Sequence, residues 1–308
     1  MAESVFLRHL AGYDEPALTA AVTALLDAAA PSLPPGARVL VKPNLVAPRN
    51  MGLSCTTPAV VRAVCRHLLR RGTRVVVGDS PAFGTGRIMA ALSGLSEALA
   101  DLPVTVTDLG AATAVPLSYG GSIGVSRTAL TVDRIVSVPR LKCHDQMGLS
   151  AGVKNLFGCV VGFRKSLAHQ RFGNSGDRFA RMILDVWAAL PPVTTLLDGI
   201  VAMHRHGPTN GAPYALGLLA AAANPVALDT AVFTLLGLAP EQVPLWRTAR
   251  ALGLPGSDPS AIVYPMEPPT RFDVAGFVAP GAHAPIAFAP TRFLTGRLKS
   301  LLTRLRRR

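Results

Sequence analysis

The stretch R-I-V-S-V-P-R-L-K-C-H-D-Q-M-G-L-S-A-G-V-K-N, residues 134–155, decides the fold class. Residues 134–138 form a short apolar run of the kind that reads as a strand buried on both faces. Pro139 lacks a backbone donor and is expected to end that strand. Lys142, His144 and Asp145 then arrive within four residues. A small-residue turn, Gly148-Leu149-Ser150-Ala151-Gly152, leads into Lys154-Asn155 at an expected helix start. Strand, small-residue loop and helix start together turn several backbone N–H donors toward one anion. Glycines permit close approach because no Cβ intervenes. Lys154 adds a point charge, and His169 and Arg171 are expected to return to the same mouth. Residues 140–176 hold six Lys/Arg and one acid, Asp145, a bias that suits an anionic ligand. A solvated basic loop is the plain alternative.

The same rhythm extends outward in both directions. Residues 38–41 read as a strand running into Lys42-Pro43-Asn44, and Thr56-Thr57-Pro58 opens a helix that Gly72 stops. Residues 74–77 read as a strand ending in Gly78-Asp79-Ser80, and residues 194–197 as one ending in Asp198-Gly199. Residues 216–223 are a further strand, and the helix at 226–236 carries Asp229 in its first turn, where a carboxylate suits the helix dipole. Short strands alternating with helices predict an α/β fold, a mostly parallel sheet with helices on both faces. At 308 residues, one domain or two lobes both remain open. In a parallel sheet Lys42, Asp79, Lys142 and Asp198 would share the carboxyl edge, where such sheets bind ligands. The expected layout is an α/β domain at 1–264, a Pro/Gly-rich linker at 265–290 and a basic amphipathic helix at 291–308.

The formal charge of +13 is uneven, because residues 291–308 hold seven Lys/Arg and no acid, leaving +6 for the rest. Leu294, Leu298, Leu301, Leu302 and Leu305 fall on one helical face. A helix of this type can lie on anionic lipid, and packing of the stripe on the body is the other reading. Nucleic acid is not an expected partner, since aromatic residues do not interleave the basic ones. Cys55, Cys65, Cys143 and Cys159 form no C-x-x-C pair, so no ferredoxin-type cluster is expected in this chain and other cofactors stay open. Cys143 sits between Lys142 and His144, where a thiolate is favoured. No secretory leader or long apolar run is evident, so the expected location is the cytoplasm, with the tail offering peripheral membrane contact.

Several motifs occur together in one order: Lys42-Pro43-Asn44, Thr56-Thr57-Pro58, Gly78-Asp79-Ser80, Pro139-Arg140-Leu141-Lys142-Cys143-His144 and Gly152-Val153-Lys154-Asn155-Leu156-Phe157-Gly158. His169, Asp198-Gly199, Gly207-Pro208-Thr209-Asn210-Gly211 and Asn224-Pro225-Val226-Ala227-Leu228-Asp229 follow. This set resembles the domain-of-unknown-function 362 family, often labelled uncharacterised iron–sulfur-centre proteins, over roughly residues 36–255. Many relatives append a ferredoxin-like module, whereas residues 256–308 here contain no Cys.

The combined reading is an enzyme, of oxidoreductase or isomerase type, acting on an anionic small molecule or nucleotide-like cofactor. Lys42, Lys142 and Lys154 would hold the anion, with Asn44, Ser80, Gly148, Ser150, Gly152 and Asn155 around it. His144 or His169 would move protons, with Lys142 beside them. Asp79, Asp198 or Asp229 would orient these groups or bind a metal. In a redox version a ferredoxin-like partner would supply electrons. The alternative is a non-catalytic metal- or cofactor-binding accessory protein.

Overall fold

The fold is read from a computed structural model, which describes residues 2–81, 84–161 and 176–280. Its strands in chain order are β1 (Glu3–Ser4), β2 (Phe6–His9), β3 (Arg38–Pro43), β4 (Arg74–Asp79), β5 (Thr105–Asp108), β6 (Ala112–Pro116) and β7 (Ser122–Ser126). They continue with β8 (Arg134–Val138), β9 (Arg140–His144), β10 (Gly148–Ser150), β11 (Val193–His204), β12 (Ala212–Ala222) and β13 (Ile262–Val263). Nine of them form one sheet in the order β10-β9-β11-β8-β3-β4-β5, with β12 on β11 and β2 on β12. β3, β4, β5, β8, β9 and β11 run parallel where they pair. β10, β12 and β2 run antiparallel, so the sheet is mixed.

Period-two alternation sends successive side chains to opposite faces. Val39 and Val41 join Val75, Val77, Val136 and Val138 under the helices Glu15–Ala29 and Pro58–Arg70. Leu40 and Ile135 face the other way, into a cluster with Phe179, Ile183 and Val186 of helix Gly176–Ala189. Leu141 and Cys143 of β9 pack with β12 and helix Pro225–Leu235. Helices therefore cover both faces, and the central strands β3, β4 and β8 are largely apolar on both sides because both sides are mostly buried.

Several strand boundaries differ from the sequence reading; β12, for one, starts at Ala212 rather than at 216. Pro139 does not end strand structure; it joins β8 to β9. Both lie along the same edge of β11, β8 against Val193–Thr195 and β9 against Asp198 and Met203. The missing proline N–H falls at the junction between the two ladders, and the Pro139 carbonyl accepts from the Asp198 N–H at 2.9 Å. β11 runs on to His204 rather than stopping before Asp198, because antiparallel pairing with β12 continues to Ala212.

Residues 265–280, read as linker, lie against β11 and β12. Phe272 is buried, the Tyr214 hydroxyl donates to the Ala275 carbonyl at 2.9 Å, and Arg205 N–H donates to Val278 at 2.7 Å. His169, Arg171 and the basic stretch at 291–308 lie outside the described residues. Among the described residues, no helix is long and apolar enough to cross a membrane.

Gly148 opens β10 with φ +70°, and a Cβ there would stand 2.2 Å from the Gln242 carbonyl oxygen. Left-handed backbone and a close backbone neighbour both select glycine. Gly148→Ala is expected to lower stability by about 1–3 kcal/mol from strain alone, measured as a shift in the urea unfolding midpoint.

Candidate functional site

Two ion pairs close the carboxyl side of the parallel strands. Lys42 is fully buried near the end of β3, and its ammonium meets Asp79 Oδ1 at 2.7 Å. The same ammonium donates to the Pro43 carbonyl at 3.1 Å and to Asn155 Oδ1 at 3.2 Å. Asp79 ends β4, and its carboxylate also accepts the N–H groups of Leu45 at 2.8 Å and Ser80 at 2.9 Å. Asn155 returns its amide to the Lys42 carbonyl at 3.2 Å and to Ser137 Oγ at 2.9 Å. Every polar atom of this knot has a partner, the condition for holding charge in a low-dielectric interior. Gly158 sits directly on it: a Cβ there would lie 2.2 Å from Asp79 Oδ1 and 2.3 Å from Lys42 Nζ.

The second pair joins register partners on β9 and β11. Arg140 meets Asp198 Oδ2 at 2.6 Å, and neither side chain is more than 2% exposed. Tyr13 donates its hydroxyl to Asp198 Oδ1 at 2.9 Å and accepts from Arg140 at 2.9 Å. Thr57 contributes its N–H to Asp198 at 3.1 Å and its hydroxyl oxygen to Arg140, and the Gly52 carbonyl accepts from Arg140 at 3.1 Å. Burial first, and then the Asp198 charge, push the Tyr13 phenol up to about 12.

Lys142 is the third buried cation and the odd one. It is 1% exposed, and its ammonium donates to Asn44 Oδ1 and to the Ser54 carbonyl, the latter at 2.5 Å. Among the described residues it forms no salt bridge. Burial pulls its amine down to about 7; nearby Cys55 and Asp79 oppose that, while Arg140 and Lys42 add to it. Lys42, Asp79, Arg140, Asp198 and Lys142 thus share one neighbourhood with three cations and two carboxylates. Asn44 is set for its role by Thr56, whose hydroxyl accepts from the Asn44 N–H at 2.7 Å and donates to the Val138 carbonyl at 2.6 Å.

Other expected site residues go elsewhere. Asp229 does not serve its own helix. Its carboxylate accepts the N–H of Gly152 at 2.6 Å and of Val153 at 3.1 Å, capping the short helix Gly152–Leu156. The donors read as an anion cradle therefore hold an internal carboxylate. Burial raises the Asp229 carboxyl to about 7, against the pull of those two N–H groups. Lys154 lies over the rings of Phe157 and Phe179, 5.1 and 5.7 Å from their centroids. Ser150 is buried opposite Lys142, and Gly148 stands opposite His144. His144 follows Lys142 on the same face of β9, its Nδ1 accepting from the Gln146 N–H at 3.3 Å.

Arg140, Tyr13, Thr57 and Gly158 were not among the expected site residues. The signal for Arg140 was present: Arg140, Lys142 and His144 alternate with Leu141 and Cys143, which places the three polar groups on one strand face. Tyr13 comes from 185 residues before Asp198, and no local pattern could join them.

Cys55, Cys65, Cys143 and Cys159 are buried, and among the described residues none of them is joined in a disulfide. Burial pushes the Cys143 thiol up to about 12, helped by Asp145, so the thiolate expected from its sequence neighbours is disfavoured. Among the described residues, no group of three or more His, Cys, Asp and Glu side chains is placed to hold a metal ion.

Comparison with known proteins follows this geometry. The family model described as Domain of unknown function (DUF362) matches residues 39–234. A thylakoid-associated protein of Synechocystis sp. is 33% identical over 311 residues, 99% of this chain and 96% of that one. The lactate racemase apoprotein of Thermoanaerobacterium thermosaccharolyticum aligns with a TM-score of 0.42 and 14% identity, over 62% of this chain and 50% of that one. A crystal structure of a Thermotoga maritima protein aligns with a TM-score of 0.44 and 13% identity, over 67% and 54%. The chain thus spans about half the length of these two solved structures.

The Asp229 carboxyl carries a pH signature. Its folded value lies above the ordinary 3.8, so the folded state binds the proton more tightly. Its contribution is present below about pH 4 and is lost as pH rises through about 7. Compared with Asp229→Asn, the wild type is expected to lose relative stability between those limits and to hold a constant difference above them, read from urea midpoints across the range.

Proposed function

We propose that this chain, which belongs to the domain-of-unknown-function 362 family, is an enzyme that binds a small anionic molecule at the carboxyl edge of its sheet and moves a proton through the amine of Lys142. The observation that carries the reading is the third cation. Lys42 and Arg140 have carboxylates, while Lys142 rests on an amide oxygen and a backbone carbonyl. A bound anion would supply the counter-charge that Lys142 lacks among the described residues. An amine held near neutrality is present in both protonation states at working pH, which suits general acid–base work. Asn44 and Ser54 would hold Nζ in place, and the two ion pairs would fix the strands around it. Binding without proton exchange would favour the accessory-protein alternative.

The test uses inorganic phosphate, sodium pyruvate and sodium lactate as probes. At least one should raise the thermal midpoint of the wild type. Lys142→Gln should bind that probe ten- to a hundredfold more weakly, equivalent to about 1.5–3 kcal/mol for a charged hydrogen bond. Equal shifts in both proteins, or none in either, reject the reading. Deuterium uptake from solvent into the bound probe separates proton transfer from binding alone.

A peripheral membrane contact is a second proposal, supported by the basic tail and by the relative's printed name, thylakoid-associated. The leucine stripe of residues 294–305 with cations around it suits an anionic lipid surface, each cation contributing about 1 kcal/mol. The full chain should sediment with vesicles containing phosphatidylglycerol, and a chain ending at Pro290 should not. Equal behaviour of the two rejects a lipid role for the tail.

A further inference from the structure

The opposite, amino edge of the sheet holds a second unbalanced cation. Arg134 opens β8 there and is 8% exposed. It forms one hydrogen bond among the described residues, from NH1 to the Pro31 carbonyl at 3.3 Å. Its Nε is buried without a partner, and it forms no ion pair among the described residues. An arginine stays charged in a protein, so this guanidinium cannot escape its situation by losing a proton.

Arg134 lines a cavity of about 340 Å³, together with Pro31, Trp187, Pro191, Thr194 and Ala223. Among the described residues Arg134 is the one charged residue of the lining, and most of the remainder is apolar. The volume falls in the range of small-molecule sites, which combine an apolar wall with a few polar anchors. The guanidinium is a planar fork of N–H donors, a shape that matches the two oxygens of a carboxylate. We infer that this cavity is a binding site for a small carboxylate with a flat apolar body, its carboxylate on Arg134 and its body against Trp187. The site is separate from the Lys142 neighbourhood, because Arg134 begins the strand run whose other end carries Lys142.

Sodium benzoate is the probe, titrated calorimetrically into the full chain, with benzamide as its uncharged counterpart and inorganic phosphate as an anion without the apolar body. Benzoate should bind saturably, and benzamide and phosphate at least tenfold more weakly. Arg134→Gln should lose benzoate binding. Ala223→Phe, a change at an exposed position on the lining, should block binding with Arg134 intact and serves if Arg134→Gln does not fold. Trp187 fluorescence gives a local readout, since the chain has two Trp and Trp246 is buried with its indole N–H on the Ser257 carbonyl at 3.0 Å. Lys142→Gln should leave benzoate binding unchanged, which keeps this test apart from that of the carboxyl edge. Equal binding of benzamide, tighter binding of phosphate, no binding, or binding that survives Ala223→Phe but fails in Lys142→Gln overturns the inference.

Discussion

Charge taken out of water must be paired, and this constraint organises the protein. Lys42–Asp79 and Arg140–Asp198 are buried and close, and apart from Arg140 Nε their polar atoms have hydrogen-bond partners. Removing one partner of such a pair leaves an uncompensated charge, at about 3–5 kcal/mol. The pairs therefore act as fasteners between β3 and β4 and between β9 and β11. They also require particular neighbours: Tyr13 and Thr57 for Asp198, Asn155 and the Ser80 backbone for Lys42 and Asp79. Lys142 stands out against this background because, among the described residues, it sits in the same place without a carboxylate bound to it.

Much of this was legible in the sequence. Short apolar runs buried on both faces gave the alternating α/β pattern, and Lys42, Asp79, Lys142 and Asp198 do gather. What failed was local punctuation. Pro139 reads as a stop, but a proline costs a strand little where its absent N–H falls between two ladders. Asp198-Gly199 reads as a strand end, but β12 supplies a continuing antiparallel partner from far along the chain. Neither fact has a signature in the neighbouring residues. The polar face of β9 did have one, a period of two, and it was masked by expecting the strand to end at Pro139.

The glycines carry a related lesson. A small-residue loop before a helix suggests room for a ligand. Here the room is filled from within: by the Gln242 carbonyl at Gly148, by Asp229 at Gly152, and by the Lys42–Asp79 pair at Gly158. A glycine reports that something comes close without saying whether that something is substrate or the protein itself. The distinction depends on Asp229 and Gln242, which lie well beyond the loop in sequence.

The cap on Gly152 also bears on the order in which the molecule takes shape. The helix it starts has five residues, too short to persist alone against the cost of its first turn. The carboxylate that satisfies its leading N–H groups comes from 77 residues later, on helix Pro225–Leu235. A nascent chain that has emerged only as far as the central loop has strands β3, β4 and β8 in hand but lacks this cap. The loop beside the buried lysines can gain this cap only once helix Pro225–Leu235 has been made, after β11 and β12 in the chain.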